Sequence, residues 1–178
     1  MKKKLLPKAL FYVLVLFLIG WPLYQIFHTF GEPKEEHNAE HLLYQVSLFQ
    51  IELLNSYLGQ AGSLKDTSEL DACKQALYSA GYTHERLVLA AGGSEKLDSL
   101  ESIPQLMQYI QRLQIGGERK LKTEEIATLQ ETAEKFKRIY EVYEKLMSSD
   151  GQIITSQNEE LTKADQDLSE TIRKKLLE

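Results

Sequence analysis

The stretch TEEIATLQETAEKFKRIYEVYEKLM, residues 123–147, decides the fold class. Its positions Ile126, Leu129, Ala133, Phe136, Tyr140, Tyr143 and Met147 recur at alternating steps of three and four. That is the repeat of one face of an α-helix. Thr123, Glu124 and Glu125 open the segment with a capping hydroxyl and two carboxylates, which suit the positive end of a helix. A long helix with one apolar stripe must lay that stripe against another.

Matching stripes lie upstream. Between Glu35 and Gly59 the row is Leu42, Val46, Phe49, Leu53 and Tyr57. The next is Leu70, Cys73, Leu77, Ala80, His84, Leu87 and Ala91, followed by Ile103, Leu106, Ile110 and Leu113. Turn-forming clusters separate them: Gly59 to Ser63, Gly92-Gly93-Ser94, Gly116-Gly117 and Ser148-Ser149-Asp150-Gly151. Asp66, Thr67 or Ser68 supplies the cap of the second helix. Pro104, tolerated in a first turn, sets the start of the third near Ser102. No segment alternates with the period of a strand. The expected fold class is all-α: an antiparallel bundle of about four helices over residues 36–150, then an amphipathic C-terminal helix in 151–178.

The N-terminus has a different chemistry. Leu10 to Ile19 is unbroken apolar sequence, and Gly20 to Phe27 extends it to the roughly 20 residues a bilayer core needs. Residues 9–28 are therefore expected to be a transmembrane signal anchor, with Trp21 and Tyr24 toward the interface. Lys2, Lys3, Lys4 and Lys8 make residues 1–8 basic, and Gly31 to Glu36 is acidic on balance. The positive-inside rule then keeps the N-terminus in the cytoplasm and puts the bulk of the chain outside, after a linker at 29–35. The competing reading, a cleaved signal peptide, wants small residues after the apolar core, where Trp21, Pro22, Leu23 and Tyr24 stand instead.

Those four lysines are +4 of a chain whose formal net charge is −5, which leaves the remainder at −9. An acidic body does not suit nucleic-acid binding. The short basic clusters Glu118 to Lys122 and Arg173 to Lys175 read as solvated helix ends. Cys73 is the only cysteine, so the chain has neither an internal disulfide nor a cysteine metal site. It reads as a small buried apolar residue, an intermolecular disulfide being the alternative.

Chemistry-bearing residues are few. His37-Asn38-Ala39-Glu40-His41 matches the H-x-x-E-H string of inverted-zincin metallopeptidases. Its histidines share a helix face, but no third ligand is identifiable and there is no room for the domain that houses such sites. It reads as a polar helix start, and no metal or cofactor is assigned. His84 falls on an apolar stripe and reads as a hydrogen-bonded core histidine, with a pH sensor as the alternative. Tyr140 and Tyr143 read as core and rim residues, with a ligand pocket as the alternative. No nucleophile–base pair or phosphate loop points to an enzyme.

The C-terminal helix has a thin row, Leu161, Leu168, Ile172 and Leu176, helped by Ala164. Glu159, Glu160, Asp165, Asp167, Glu170, Arg173 and Lys174 are expected on its wet face. A lone helix of this length is marginal in water, so the row must pack on the bundle or on another chain. It is taken as the partner-binding element, the partner being another envelope or membrane protein or a second copy.

The order of elements resembles a known family. An N-terminal signal anchor leads into a helix of the type His41-Leu-Leu-Tyr-Gln-Val46. A later apolar helix and polar turn precede Leu121-Lys-Thr-Glu-Glu-Ile-Ala-Thr-Leu129. This is similar to the helical N-terminal region of the YpeB family of spore-germination membrane proteins, which also carry a large C-terminal region not found here. The resemblance implies a partner-binding or stabilising role for a cell-wall lytic enzyme in the bacterial envelope. The expected function is thus a membrane-anchored, protein-binding scaffold or accessory subunit. A small-ligand sensor is the alternative.

Overall fold

The computed structural model describes residues 34–177 together with Phe17, Gly20, Trp21 and Tyr24; of residues 34–38 it describes the backbone alone. Five α-helices are present among them: α1 (Lys34–Gly59), α2 (Asp71–Ala90), α3 (Ser102–Gln114), α4 (Thr123–Tyr143) and α5 (Thr155–Leu177). Two short 3-10 turns, Ala61–Ser63 and Thr67–Leu70, join α1 to α2. Among the described residues the only strand-like pairings are two isolated bridges, Asp66 with Lys120 and Met147 with Ile153. The chain is all-α.

It divides into two units, residues 1–36 and 37–178. No helix among the described residues is long and apolar enough to cross a membrane. The expected segment 1–8, the segment 9–28 apart from Phe17, Gly20, Trp21 and Tyr24, and most of the linker 29–35 lie outside the described residues.

Cross-links between helices fix their directions. Tyr44 of α1 meets Tyr143 of α4, while Gly62, past the end of α1, lies against Gln130 near the start of α4. In the α4–α5 pair, Lys135 reaches Asp167 and Arg138 reaches Glu160. In the α2–α3 pair, Lys74 reaches Gln114 and Gly81 lies on Ile103. All three pairs are antiparallel. Asp165 meets Ser102, and Arg112 donates to the Leu176 carbonyl, so α3 and α5 run parallel. The pattern is up-down-up-down-up.

Asp66, expected as the cap of the second helix, caps instead the 3-10 turn before it, and α2 begins at Asp71 with no side-chain cap. Asp66 accepts from the Ser68 N–H ahead of α2, and Glu125 accepts from the Lys122 N–H at 2.8 Å at the start of α4. α2 runs out into Gly92 and Gly93 at φ +100° and +95°, where a Cβ would be strained. Gly81 lets α2 approach α3 closely, since a Cβ there would stand 3.2 Å from Ile103 Cγ2.

The expected rows of α2 and α3 are the buried ones: Cys73, Leu77, Ala80, His84 and Leu87, then Ile103, Leu106, Ile110 and Leu113. α4 hides a wider face than one stripe. Thr132, Ile139 and Val142 are buried beside Leu129, Phe136 and Tyr143, because α1 and α5 both pack on it.

Three expectations are corrected. In α1 the buried row is Tyr44, Ser47, Ile51, Leu54 and Leu58, whereas Leu42, Val46 and Phe49 face outward. In α5, Leu161, Leu168 and Ile172 are buried in the chain's own core against α3 and α4. With Leu176 half-buried beside them, they form the inner face of a fifth bundle helix and not a surface row open to a partner. Asp165, expected on the wet face, is buried as well, because it caps α3.

Leu168→Ala should therefore destabilise the fold by about 2–5 kcal/mol in urea unfolding, as a buried leucine lost to a cavity does. The exposed Leu177→Ala, at the end of α5, should stay within about 0.5 kcal/mol of wild type.

Candidate interaction surfaces and the buried polar network

The described histidine on the core stripe, His84, is enclosed by protein. Its Nε2 stands 2.9 Å from the Asp98 carbonyl and its Nδ1 3.0 Å from the Tyr143 hydroxyl. A carbonyl only accepts, so Nε2 carries the proton and Nδ1 accepts from Tyr143. The Tyr143 oxygen in turn accepts from the Ser47 hydroxyl at 2.7 Å. The Tyr143 carbonyl accepts from Tyr44 at 2.8 Å, and the two rings stack at 6.1 Å. Ser47, His84 and Tyr143 are all buried. Burial lowers His84 to a pKa of about 4 and pushes the Tyr143 phenol up. With both ring nitrogens committed to neighbours, His84 is a structural element of the core.

The network continues through the loop between α2 and α3. The Asp98 N–H donates to Asn158 Oδ1 at 3.1 Å, and Thr162 donates to the Asp98 carboxylate at 2.6 Å. One turn along α5, the Asp165 carboxylate accepts from the Glu101 N–H at 2.8 Å, the Ser102 N–H at 3.1 Å and the Ser102 hydroxyl. It therefore caps α3 from a neighbouring helix, next to Pro104, which has no N–H to satisfy. Burial raises the Asp165 carboxyl, and the Ser102 and Glu101 donors oppose that rise.

The outer surface offers two apolar features. On α1, Leu42 is 60% exposed, Val46 48% and Phe49 58%. On α2, Tyr78 is 70% exposed and Tyr82 50%, their rings stacked at 6.4 Å, with the Arg86 guanidinium over Tyr82 at 4.8 Å. These tyrosines border a groove of about 470 Å³ between α2 and α3, floored by Leu77, Ile103 and Met107. Glu85 and Glu101 are the charged residues of its lining.

A polar cleft of about 500 Å³ flanks the Asp98–Asp165 side of α5, and a third, of about 490 Å³, lies among Arg112, Arg119, Lys122 and Lys175. In the latter Arg119 is spent on a two-pronged pair with Glu125, at 2.7 and 2.8 Å. Arg112 binds the last carbonyls of α5.

The sequence brought His84 and Tyr143 forward separately, and the structure joins them. Tyr140 instead donates to Glu144 at 2.8 Å, away from that pair. Ser47, Asp98 and Asp165 were missed. A serine on an apolar row and an aspartate in the middle of a helix were the available signals. His41 is half-buried and accepts from Gln45 at 3.0 Å; the side chain of His37, its partner in the H-x-x-E-H string, lies outside the described residues. Among the described residues no group of three or more potential metal ligands forms.

The His84 environment has a pH signature. Above pH 6.5 the folded and unfolded chains both hold a neutral imidazole. Below it the unfolded chain takes up a proton that the folded chain refuses until about pH 4. Stability is thus lost as pH falls through that window, on the order of 3 kcal/mol from this group. The raised Asp165 acts in the opposite sense at the acid end. Urea unfolding at about pH 7 and about pH 4.5 should show the loss in wild type and a much flatter response in His84→Gln. Equal pH responses would remove His84 as the cause.

No family model matches this chain, and neither a curated protein nor a solved structure matches it.

Proposed function

We propose that this chain is a membrane-anchored, extracytoplasmic helical bundle that binds another protein as a scaffold or accessory subunit. The observation that carries the reading is the aromatic groove between α2 and α3. Two tyrosines held half or more in water, above an apolar floor, are unusual for a surface with no task. Tyrosine gives large contact area at low entropic cost and is enriched where proteins meet.

The groove's chemistry selects the partner's. Glu85 and Glu101 are the acidic residues of its lining, Arg86 covers the Tyr82 ring at its rim, and the chain beyond its first eight residues is acidic. A segment with apolar side chains flanked by Lys or Arg fits both features. The apolar run at 9–28 and the lysines before it support anchoring with the body outside. The resemblance to the YpeB family adds a cell-wall lytic enzyme as the class of partner.

A small-ligand role has one observation in its favour: about 470 Å³ lies within the range of small-molecule sites. Saturable binding of a small aromatic cation to the purified full chain, with no protein competitor, would favour it.

Protease added outside intact protoplasts should digest the body, and full protection of residues after Gly31 would reverse the orientation. Tyr78→Ala with Tyr82→Ala should leave the unfolding free energy within about 1 kcal/mol, since both rings are exposed. The same pair should abolish recovery of the partner that wild type captures from solubilised membranes. Retained capture would remove the groove from the interface.

A further inference from the structure

The outward row of α1 is not absorbed by the fold or by the groove. Leu42, Val46 and Phe49 are exposed, and the half-buried Leu53 continues their row, at steps of four, three and four. Each lies two residues from a member of the buried row, Tyr44, Ser47, Ile51 and Leu54 or their neighbours, so the two rows sit on nearly opposite sides of the helix. Burying the outer row thus needs no change in the core.

The rest of that face is also uncharged. Between Glu40 and Lys65 the only charged side chain is Glu52, apart from any proton on His41. Solvated faces of bundle helices normally carry mixed charges, as α4 does with Lys137, Arg138 and Glu141. A face held free of charge over this length is suited to burial against another helix.

We infer that the outer face of α1 is a parallel two-stranded seam between two copies of this chain. The spacing is that of a coiled-coil seam, with Val46 and Leu53 in one layer type and Leu42 and Phe49 in the other. Val46 is the single β-branched residue of the row, in the layer type where β-branching favours two strands. The flanking positions allow a parallel pairing: Gln45 faces Gln50 of the second copy, and Glu52 faces Tyr57. No like charges meet, although the body as a whole is acidic.

A second copy is favoured over an unrelated helix by what precedes α1. Every copy carries the same apolar run ahead of α1, so anchoring those runs confines the copies to one bilayer. This part of the inference rests on the anchor reading of residues 9–28. Anchoring also answers the size of the seam. The exposed row amounts to a few hundred Å², below the roughly 800 Å² per partner of a standard interface. Two copies confined to one membrane meet at high effective concentration, where such a seam is sufficient.

The test uses the full chain in membranes with Val46→Cys as reporter. The native Cys73 is buried in the core, with its thiol pushed up to about 12, and stays silent. Mild oxidation should give a disulfide-linked dimer from Val46→Cys and none from Lys137→Cys, which is exposed on α4. Adding Phe49→Glu should abolish the Val46→Cys dimer while the circular dichroism spectrum stays that of wild type. Carbonate extraction of the same membranes reads the anchor separately. Chain that resists extraction but gives no dimer overturns the seam and leaves the anchor standing. Chain that is released and still gives the dimer overturns the anchor and supports the seam. Release without a dimer overturns both. Equal dimer from Lys137→Cys, or an adduct with a protein of different mass, also overturns the second copy as occupant.

Discussion

The Tyr143 hydroxyl is the junction on which the bundle is organised. It accepts a hydrogen bond from Ser47 on α1 and donates one to His84 on α2, from a position on α4. The His84 ring then holds the carbonyl of Asp98, and α5 grips the rest of that residue through Asn158 and Thr162. A buried hydroxyl without partners costs on the order of 1–3 kcal/mol, so each member of this chain requires the others. Apolar packing brings helices together in many registers. A directional line of hydrogen bonds is satisfied in one of them.

α5 shows how that constraint extends. Its composition is polar enough for a free-standing tail, yet it closes the core over α3 and α4 and supplies the cap of α3. Asp165 makes α3 dependent on a helix that is synthesised after it. The short α3, with Pro104 in its first turn, has little helical stability of its own. It is held by an acceptor that arrives from elsewhere in the chain.

Much of this was legible in the sequence, for stated reasons. The breaks at Gly92-Gly93 and Gly116-Gly117 and the proline at 104 are local signals, and α2 and α3 end or begin beside them, whereas Asp66 caps only the turn before α2 and α4 stops at Tyr143, four residues short of Met147. The rows of α2 and α3 were legible because each helix has one apolar face. α1 has two, and periodicity cannot rank two rows of the same period. The true core row was disguised by Ser47, which is tolerated inside only because Tyr143 waits for it, ninety-six positions away. Asp165 was misread for the same reason: a carboxylate in mid-helix looks solvated until its receptor, the start of α3, is placed beside it. Long-range polar pairs are the part of this fold that a pattern of single residues does not carry.

An odd number of passes has a mechanical consequence. With five alternating helices, α1 begins at one pole of the bundle and α5 finishes at the other, about 35 Å away along a helix of its length. Tension applied between those two points runs along the helix axes. The helices then have to slide past one another, and their side-chain contacts and hydrogen bonds resist together. A bundle with an even number of passes, gripped at the same two ends of its chain, opens like a zipper, one contact at a time. This arrangement is that of a tie, loaded in shear along its length.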